Sequence, residues 1–207
     1  MIKPQAVRLL VATHKQGKLS EFADILGYRS IDWVTLDEAG VREDVEETGL
    51  TFLENAILKA SSYANQTGLL TLADDSGLEV DALGGKPGVL TARYGGPGLS
   101  AADRYRLLLA NMVDIPEGRR TARFRCAIAV SAPDGIILGT AEGICDGVIA
   151  FQPEGQNGFG YDPVFFLPDY GLTMAQLDSV EKHRISHRGK AIIGIAPLLQ
   201  NLLYASG

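Results

Sequence analysis

The chain has 207 residues, 46% of them hydrophobic and 21% charged, which suits one large domain or two small lobes around a sizeable buried core. A formal net charge of -6 weighs against a nucleic-acid coat or a membrane-surface binder, because both partners are polyanionic, but leaves room for a small anionic substrate at a local basic site. No apolar run approaches the roughly 20 residues that span a bilayer. Met1 to Ala6 opens no signal-peptide pattern, so the expectation is a cytoplasmic protein with no membrane and no nucleic-acid partner.

Arg8 to Thr13 is a short apolar run that reads as a buried strand. Gly17 to Leu26 follows with Leu19, Phe22, Ala23 and Leu26 at helical spacing. The loop between them, Thr13-His14-Lys15-Gln16-Gly17-Lys18, combines a helix start with two cations, and that combination attracts phosphate. It lacks P-loop spacing, and it reads equally as an ordinary turn with solvated lysines. Ile31 to Leu36 looks like a second strand, and the acidic loop Glu43 to Glu47 follows it. Thr51 and Glu54 form a capping-box pattern that opens a helix, with Leu53, Ala56, Ile57, Ala60 and Ala64 on one face and Gly68 at its end.

Leu70 to Ala73 is expected as a short strand that delivers Asp74-Asp75-Ser76-Gly77, and Leu78 to Leu83 as a further strand. Neighbouring strand residues point to opposite faces, so Asp74 and Asp75 meet one metal only if the chain turns, and Ser76-Gly77 is taken as that turn. With Glu46 and Glu47 they form a candidate carboxylate set for a hard cation such as Mg²⁺; a solvated acidic turn is the alternative. Gly84 to Tyr94 is loop-rich, and a capped helix is expected from Ser100 to Met112. Thr121 to Ser131 and Ile136 to Ala150, joined by Pro133-Asp134-Gly135, read as an antiparallel hairpin. Cys126 and Cys145 lie within these strands and read as reduced core residues, neither a metal knuckle nor a disulfide framework.

Gly158-Phe159-Gly160-Tyr161-Asp162 frees two aromatics between glycines, which suits stacking on a nucleobase or a tight bend with core aromatics. Lys182, His183 and Ser186-His187-Arg188-Gly189-Lys190 form a donor cluster ahead of a helix expected from about Ala191 to Tyr204, with Pro197 inside it. The cluster reads as a phosphate or base contact, or as a solvated basic turn. The fold class that accommodates these elements is α/β with a mixed sheet, because strands and helices alternate at the start and hairpins dominate the middle.

Taken in order, these segments resemble the inosine/xanthosine triphosphate pyrophosphatases. The matching stretches are Ala12-Thr13 with Gly17-Lys18, Glu46 to Phe52 with Glu54-Asn55-Ala56 and Leu58-Lys59-Ala60, Ala73 to Leu78 with Val80 to Gly85 and Pro87-Gly88, Ala92-Arg93-Tyr94, Gly158 to Pro163, and Ser186 to Lys190. The resemblance implies one pyrophosphatase domain over 1–207, built as an elongated mixed β-sheet flanked by helices in two lobes around a central cleft, and assembled as a homodimer. It implies hydrolysis of ITP, dITP and XTP to the monophosphate and pyrophosphate with Mg²⁺. By the same resemblance, Asp75 is the general base and Glu46, Glu47, Asp74 and Asp75 form the metal set. Thr13, His14, Lys15, Gln16, Gly17, Lys18 and Lys59 then face the triphosphate, and Ser76, Phe159, Gly160, Tyr161, Asp162, Lys182, His187 and Arg188 contact the rest of the substrate, with Phe159 stacking. Lys15 stands where the family has a phosphate-binding amide, and Thr91 where serine is common. A septum-inhibitor-type nucleotide pyrophosphatase would share the sheet but lack the Glu46–Lys59 and Ser186–Lys190 motifs. A silent nucleotide-binding protein is argued against by Asp74, Asp75 and Lys59.

Overall fold

The computed structural model describes residues 7–14, 16–27 and 31–204; Lys15 and the side chains of Gln16 and Gly17 lie outside that description. The chain begins β1 (Val7–Val11), α1 (Gln16–Leu26) and β2 (Ile31–Val34). Next come α2 (Phe52–Thr67), β3 (Leu70–Val80) and α3 (Ala101–Asn111). It continues through β4 (Thr121–Ser131), β5 (Ile137–Ile149), β6 (Phe165–Leu167) and β7 (Leu172–Thr173), and ends in α4 (Ser179–Ile185) and α5 (His187–Tyr204). The seven strands among the described residues form one sheet in the order β2-β1-β3-β4-β5-β6-β7. The β1 strand pairs in parallel with β2 and β3, whose connections pass through α1 and α2, whereas β6 pairs antiparallel with β5 and β7. The mixed α/β sheet is therefore as expected.

Two compact units divide the chain. The first comprises 1–75, 126–143 and 189–207; the second comprises 76–125 and 144–188. In the first, Leu9, Val11, Phe22, Leu72, Ile128, Ile192 and Ile195 are buried together. In the second, Leu78, Val80, Leu108, Met112, Phe124, Tyr161 and Phe165 form a separate core. The buried thiols of Cys126 and Cys145 belong to these two cores and form no disulfide. No described helix is long and apolar enough to cross a membrane.

Local chemistry explains where the elements start. Thr51 accepts from the Glu54 N–H while the Glu54 carboxylate accepts from the Thr51 N–H, a full capping box, and Gly68 closes α2 in the left-handed conformation. Ser100 and Asp103 repeat the box at α3. Several boundaries differ from the sequence expectation. Leu70–Val80 is one uninterrupted strand, so Ser76-Gly77 is no turn, and Asp81–Leu83 is a 3-10 turn rather than strand. The donor cluster near the C-terminus is not a loop: Lys182 sits on α4, and α5 already begins at His187 and runs unbroken past Pro197. The buried face of α2 is rotated, and it carries Phe52, Asn55, Lys59 and Tyr63 beside Ala56, Ala60 and Ala64.

Arg120 shows how the second unit is held at one end of β4. It is 2% exposed, and its guanidinium donates to the carbonyls of Ile149 (2.7 Å), Met112 (2.9 Å), Ile115 (3.0 Å) and Ala150 (3.1 Å). Arg120→Met keeps much of the apolar bulk and takes a donor from four carbonyls, of which Met112 keeps the Ile115 N–H. It is expected to cost about 3 kcal/mol in urea unfolding. A loss under about 0.5 kcal/mol, the range of a bland surface change, would contradict this reading.

Candidate functional site

In the first unit, β3 presents its adjacent acidic residues Asp74 and Asp75 to two different helices, as strand alternation requires. Asp74, 2% exposed, accepts from Lys18 Nζ at 2.9 Å on both carboxylate oxygens, and Lys18 comes from the first turn of α1. Asp75 accepts from Asn55 Nδ2 at 3.1 Å and from Lys59 Nζ at 3.4 Å, both on α2. Asn55 and Lys59 are four residues apart and so share a helix face. The Asn55 amide is oriented by its other end, where Oδ1 accepts from the Gly49 N–H at 2.7 Å. A Cβ at Gly49 would lie 2.6 Å from that oxygen, so the close approach requires glycine.

Lys59 also donates to Glu47 Oε1 at 2.7 Å, bringing two carboxylates onto one ammonium. Burial pulls the Lys59 pKa down, but the charges of Asp75, Asp74 and Glu47 outweigh it and hold the pKa above the ordinary lysine value. Burial pushes the Asp75 carboxyl above its ordinary range, and the negative charges of Glu47 and Asp74 push the same way; Lys59 and Asn55 pull back. A carboxylate raised in this way is a better proton acceptor near neutral pH. Thr13 is buried just beyond β1, with its N–H on the Val11 carbonyl at 2.7 Å. Glu46 is exposed. Among the described residues, no three His, Cys, Asp or Glu side chains gather into a group that could hold a metal ion. The four expected metal carboxylates are therefore not assembled as one cage.

His14 ties two acidic residues of the loop after β2. Its Nδ1 lies 2.8 Å from Asp37 Oδ1 and its Nε2 lies 3.2 Å from Asp44 Oδ1. Carboxylates only accept, so the two contacts are both hydrogen bonds only when the ring is protonated. The Asp37 hydrogen bond raises its pKa above 6.5, burial opposes the rise, and the charges of Asp37 and Asp44 add to it. A raised folded-state pKa means that the contact stabilises fully below the unfolded value of about 6.5. The stabilisation is lost as pH rises through the folded pKa. An NMR titration of the His14 ring is expected to give a midpoint above 6.5 that falls in Asp37→Asn. A midpoint at or below 6.5 would remove the double contact.

In the second unit, Ser76 Oγ accepts from Arg188 Nη2 at 3.0 Å, and Arg188 is 2% exposed. Asp162, also buried, accepts from Lys182 Nζ at 2.7 Å and from the Phe159 N–H at 2.8 Å. Burial raises the Asp162 pKa, while the Lys182 charge and hydrogen bond work against the rise. The Phe159 ring is 57% exposed and lies 4.6 Å from Lys182 Nζ and 5.5 Å from the Arg188 guanidinium carbon. Gly158 and Gly160 flank it, both at positive φ, and a Cβ on Gly158 would overlap Asp162 Oδ2. Tyr161 instead points into the core and donates to the Thr91 carbonyl at 3.2 Å, so its ring is no stacking platform. His187 is buried with its ring stacked on Phe124, 4.8 Å between centroids.

Asn55, Gly49 and Thr91 are the contributors for which sequence reasoning assigned no role. A polar residue one turn before Lys59 was the signal for Asn55. The first set gathers Asp74, Asp75 and Glu47 on the ammonium groups of Lys18 and Lys59, and the second gathers the exposed Phe159 ring with Lys182 and Arg188 in an α/β protein. The chain belongs to the Ham1 family, whose model matches residues 9–197. It is 47% identical over 191 residues to a dITP/XTP pyrophosphatase of Bacillus subtilis, covering 92% of this chain and 96% of that protein. Among solved structures it is similar to a HAM1 protein from Coxiella burnetii, at 40% identity and a TM-score of 0.87, covering 94% of this chain and 99% of that one. It also resembles a nucleoside-triphosphatase / dITP/XTP pyrophosphatase from Mycobacterium abscessus, at 43% identity and a TM-score of 0.76, covering 92% and 100%.

Proposed function

We infer that this chain hydrolyses the non-standard purine nucleoside triphosphates ITP, dITP and XTP to the monophosphate and pyrophosphate, removing them from the nucleotide pool. The observation that carries the reading is the buried Asp75, raised in pKa and held between Lys59 and Asn55. Asp75 orients a water molecule toward the α-phosphorus and takes its proton, and pyrophosphate leaves. Lys18 and Lys59 exchange part of their contact with Asp74 and Asp75 for phosphate oxygens and stabilise the charge that builds there. The start of α1 adds a helix dipole suited to an anion, and Thr13, His14, Lys15, Gln16 and Gly17 are assigned to the phosphates on the strength of the sequence resemblance.

The residues present fit Mg²⁺. This ion uses one or two carboxylates and fills its other positions with water and phosphate oxygens, so a three-carboxylate cage is not required. Glu47 and Asp75, joined on the Lys59 ammonium, are the pair that would hold it, with Glu46 adjacent in sequence and Asp74 in support. When bound, the ion supplies charge neutralisation at the phosphates and acidifies water.

Base recognition is assigned to the second unit. Phe159 offers an exposed ring for stacking on the purine. Arg188 and His187 are donors that suit the 6-oxo acceptor of hypoxanthine and xanthine and that adenine, with a 6-amino donor, leaves unpaired. An unpaired buried donor disfavours adenine by roughly 1–3 kcal/mol. Lys182, Ser76, Gly160 and Asp162 complete the substrate contacts. Buried thiols at Cys126 and Cys145 support a reducing, cytoplasmic setting, and the family resemblance supports a homodimer.

The test is pyrophosphate release with Mg²⁺ from dITP, XTP, dATP, dGTP and UTP. The expected result is kcat/KM for dITP and XTP at least about tenfold above that for dATP. A flat profile would sink the reading.

A further inference from the structure

Thr91 lies in the 3-10 segment Gly88–Arg93 and has no part in the proposed substrate contacts. Three hydrogen bonds meet at it. Its Oγ1 donates to the Gly88 carbonyl at 2.6 Å and accepts the buried Leu78 N–H at 2.9 Å, and its own carbonyl accepts the Tyr161 hydroxyl at 3.2 Å. Leu78 is two residues along β3 from Ser76, the partner of Arg188. Tyr161 sits inside the loop whose flanking residues are Phe159 and Asp162, the latter holding Lys182. The segment is further pinned to β3 where Val80 N–H donates to the Lys86 carbonyl at 3.2 Å and Glu79 bridges Pro87.

One residue thus joins the strand that carries Ser76 to the loop that carries Phe159. Both ends of this link are buried. Leu78 is fully buried, and Tyr161 is packed among Leu78, Val80 and Phe165 in the same core. Movement of the 3-10 segment would therefore shift the Ser76–Arg188 pair and the Phe159–Asp162–Lys182 set relative to each other. We propose that Thr91 is a positioning residue for purine selection, setting the spacing between the Ser76–Arg188 donors and the Phe159 stacking loop through Leu78 and Tyr161. The proposal rests on the assignment of base recognition to these residues. Thr91 touches neither base nor phosphate in it. The hydroxyl is the operative group, so serine at this position should serve as well, and an isosteric valine should not.

The experiment has a kinetic arm and an arm independent of turnover. For Thr91→Val, the KM for dITP is expected to rise about tenfold with kcat within about twofold of wild type, and the preference for dITP over dATP to fall by a similar factor. Thr91→Ser should restore both. Tyr161→Phe should reproduce the loss, and the double variant Thr91→Val/Tyr161→Phe should add little to either single change, because both break one link. Equal loss of kcat on every nucleotide, or no rescue by serine, would overturn the proposal. In the second arm, amide hydrogen exchange is compared in the wild-type chain and Thr91→Val. Loosening at both Leu78 and the Phe159 N–H supports the link; loosening at Leu78 with Phe159 unchanged refutes it. If the wild-type chain shows no preference for dITP over dATP, the substrate reading fails, and the exchange comparison still decides the role of Thr91.

Discussion

Asp75→Asn is expected to lower the rate of pyrophosphate release by about 10²- to 10⁴-fold, the range for losing a positioned general base. The replacement nearly preserves shape. Lys59 keeps Glu47 at 2.7 Å, and Asn55 Nδ2 can still donate to the oxygen of the new amide. What disappears is the negative charge and the ability to take a proton. The melting temperature should accordingly move by less than about 5 °C. The decisive comparison is turnover against thermal unfolding on the same preparation. Turnover within tenfold of wild type would remove Asp75 from the base role, whereas a collapse of the fold would mean that the charge is needed for structure rather than chemistry.

Asp162→Ala should damage both stability and activity. Asp162 is 3% exposed, and Lys182 is 8% exposed beside it. Removing the carboxylate strands a buried ammonium, which costs about 3–5 kcal/mol, and also frees the Phe159 N–H. Replacing both members of a buried pair by apolar groups is often close to neutral. The double variant Asp162→Ala/Lys182→Met is therefore expected to regain most of the lost stability in urea unfolding without regaining purine discrimination. Recovery of both would make the pair purely structural. Failure of the double variant to regain any stability would mean that the damage comes from the loop around Gly158 and not from the stranded charge.

Much of this arrangement could be read from residues alone, and the exceptions have physical causes. The capping boxes of α2 and α3 are sequence-local, so the starts of these helices were legible at Thr51 and Ser100. The course of β3 was not. Ser76-Gly77 carries turn chemistry, but Leu78 and Val80 are buried in the core of the second unit, and Ser76 is held by Arg188, so packing overrides the local preference. The face of α2 was misread for a related reason. Polar Asn55 and Lys59 are buried because Asp75 and Glu47 satisfy them, a pairing that spans up to 20 residues and leaves no trace in periodicity. The short α4 has one clear signal, the Asp178 side chain that accepts the Glu181 N–H at 2.8 Å, and its charged sequence hid the rest. Tyr161 and Phe159 share a glycine-flanked motif, yet one ring is buried and the other exposed; Tyr161 is held in the core by Leu78, Val80 and Phe165 and by the Thr91 carbonyl, none of them its neighbours in sequence.

With no turn at Ser76-Gly77, strand alternation separates Asp74 from Asp75, with Lys18 on the first and Lys59 with Asn55 on the second. That split underlies the proposed chemistry, because it leaves one carboxylate to support the phosphate-facing lysine and the other to handle water. The most direct test follows the bond that breaks. With dITP and Mg²⁺ in ¹⁸O-labelled water, the products should be pyrophosphate and deoxyinosine monophosphate, with the label in the monophosphate. Release of orthophosphate and deoxyinosine diphosphate, or label in the pyrophosphate, would contradict attack at the α-phosphorus and with it the role given to Asp75.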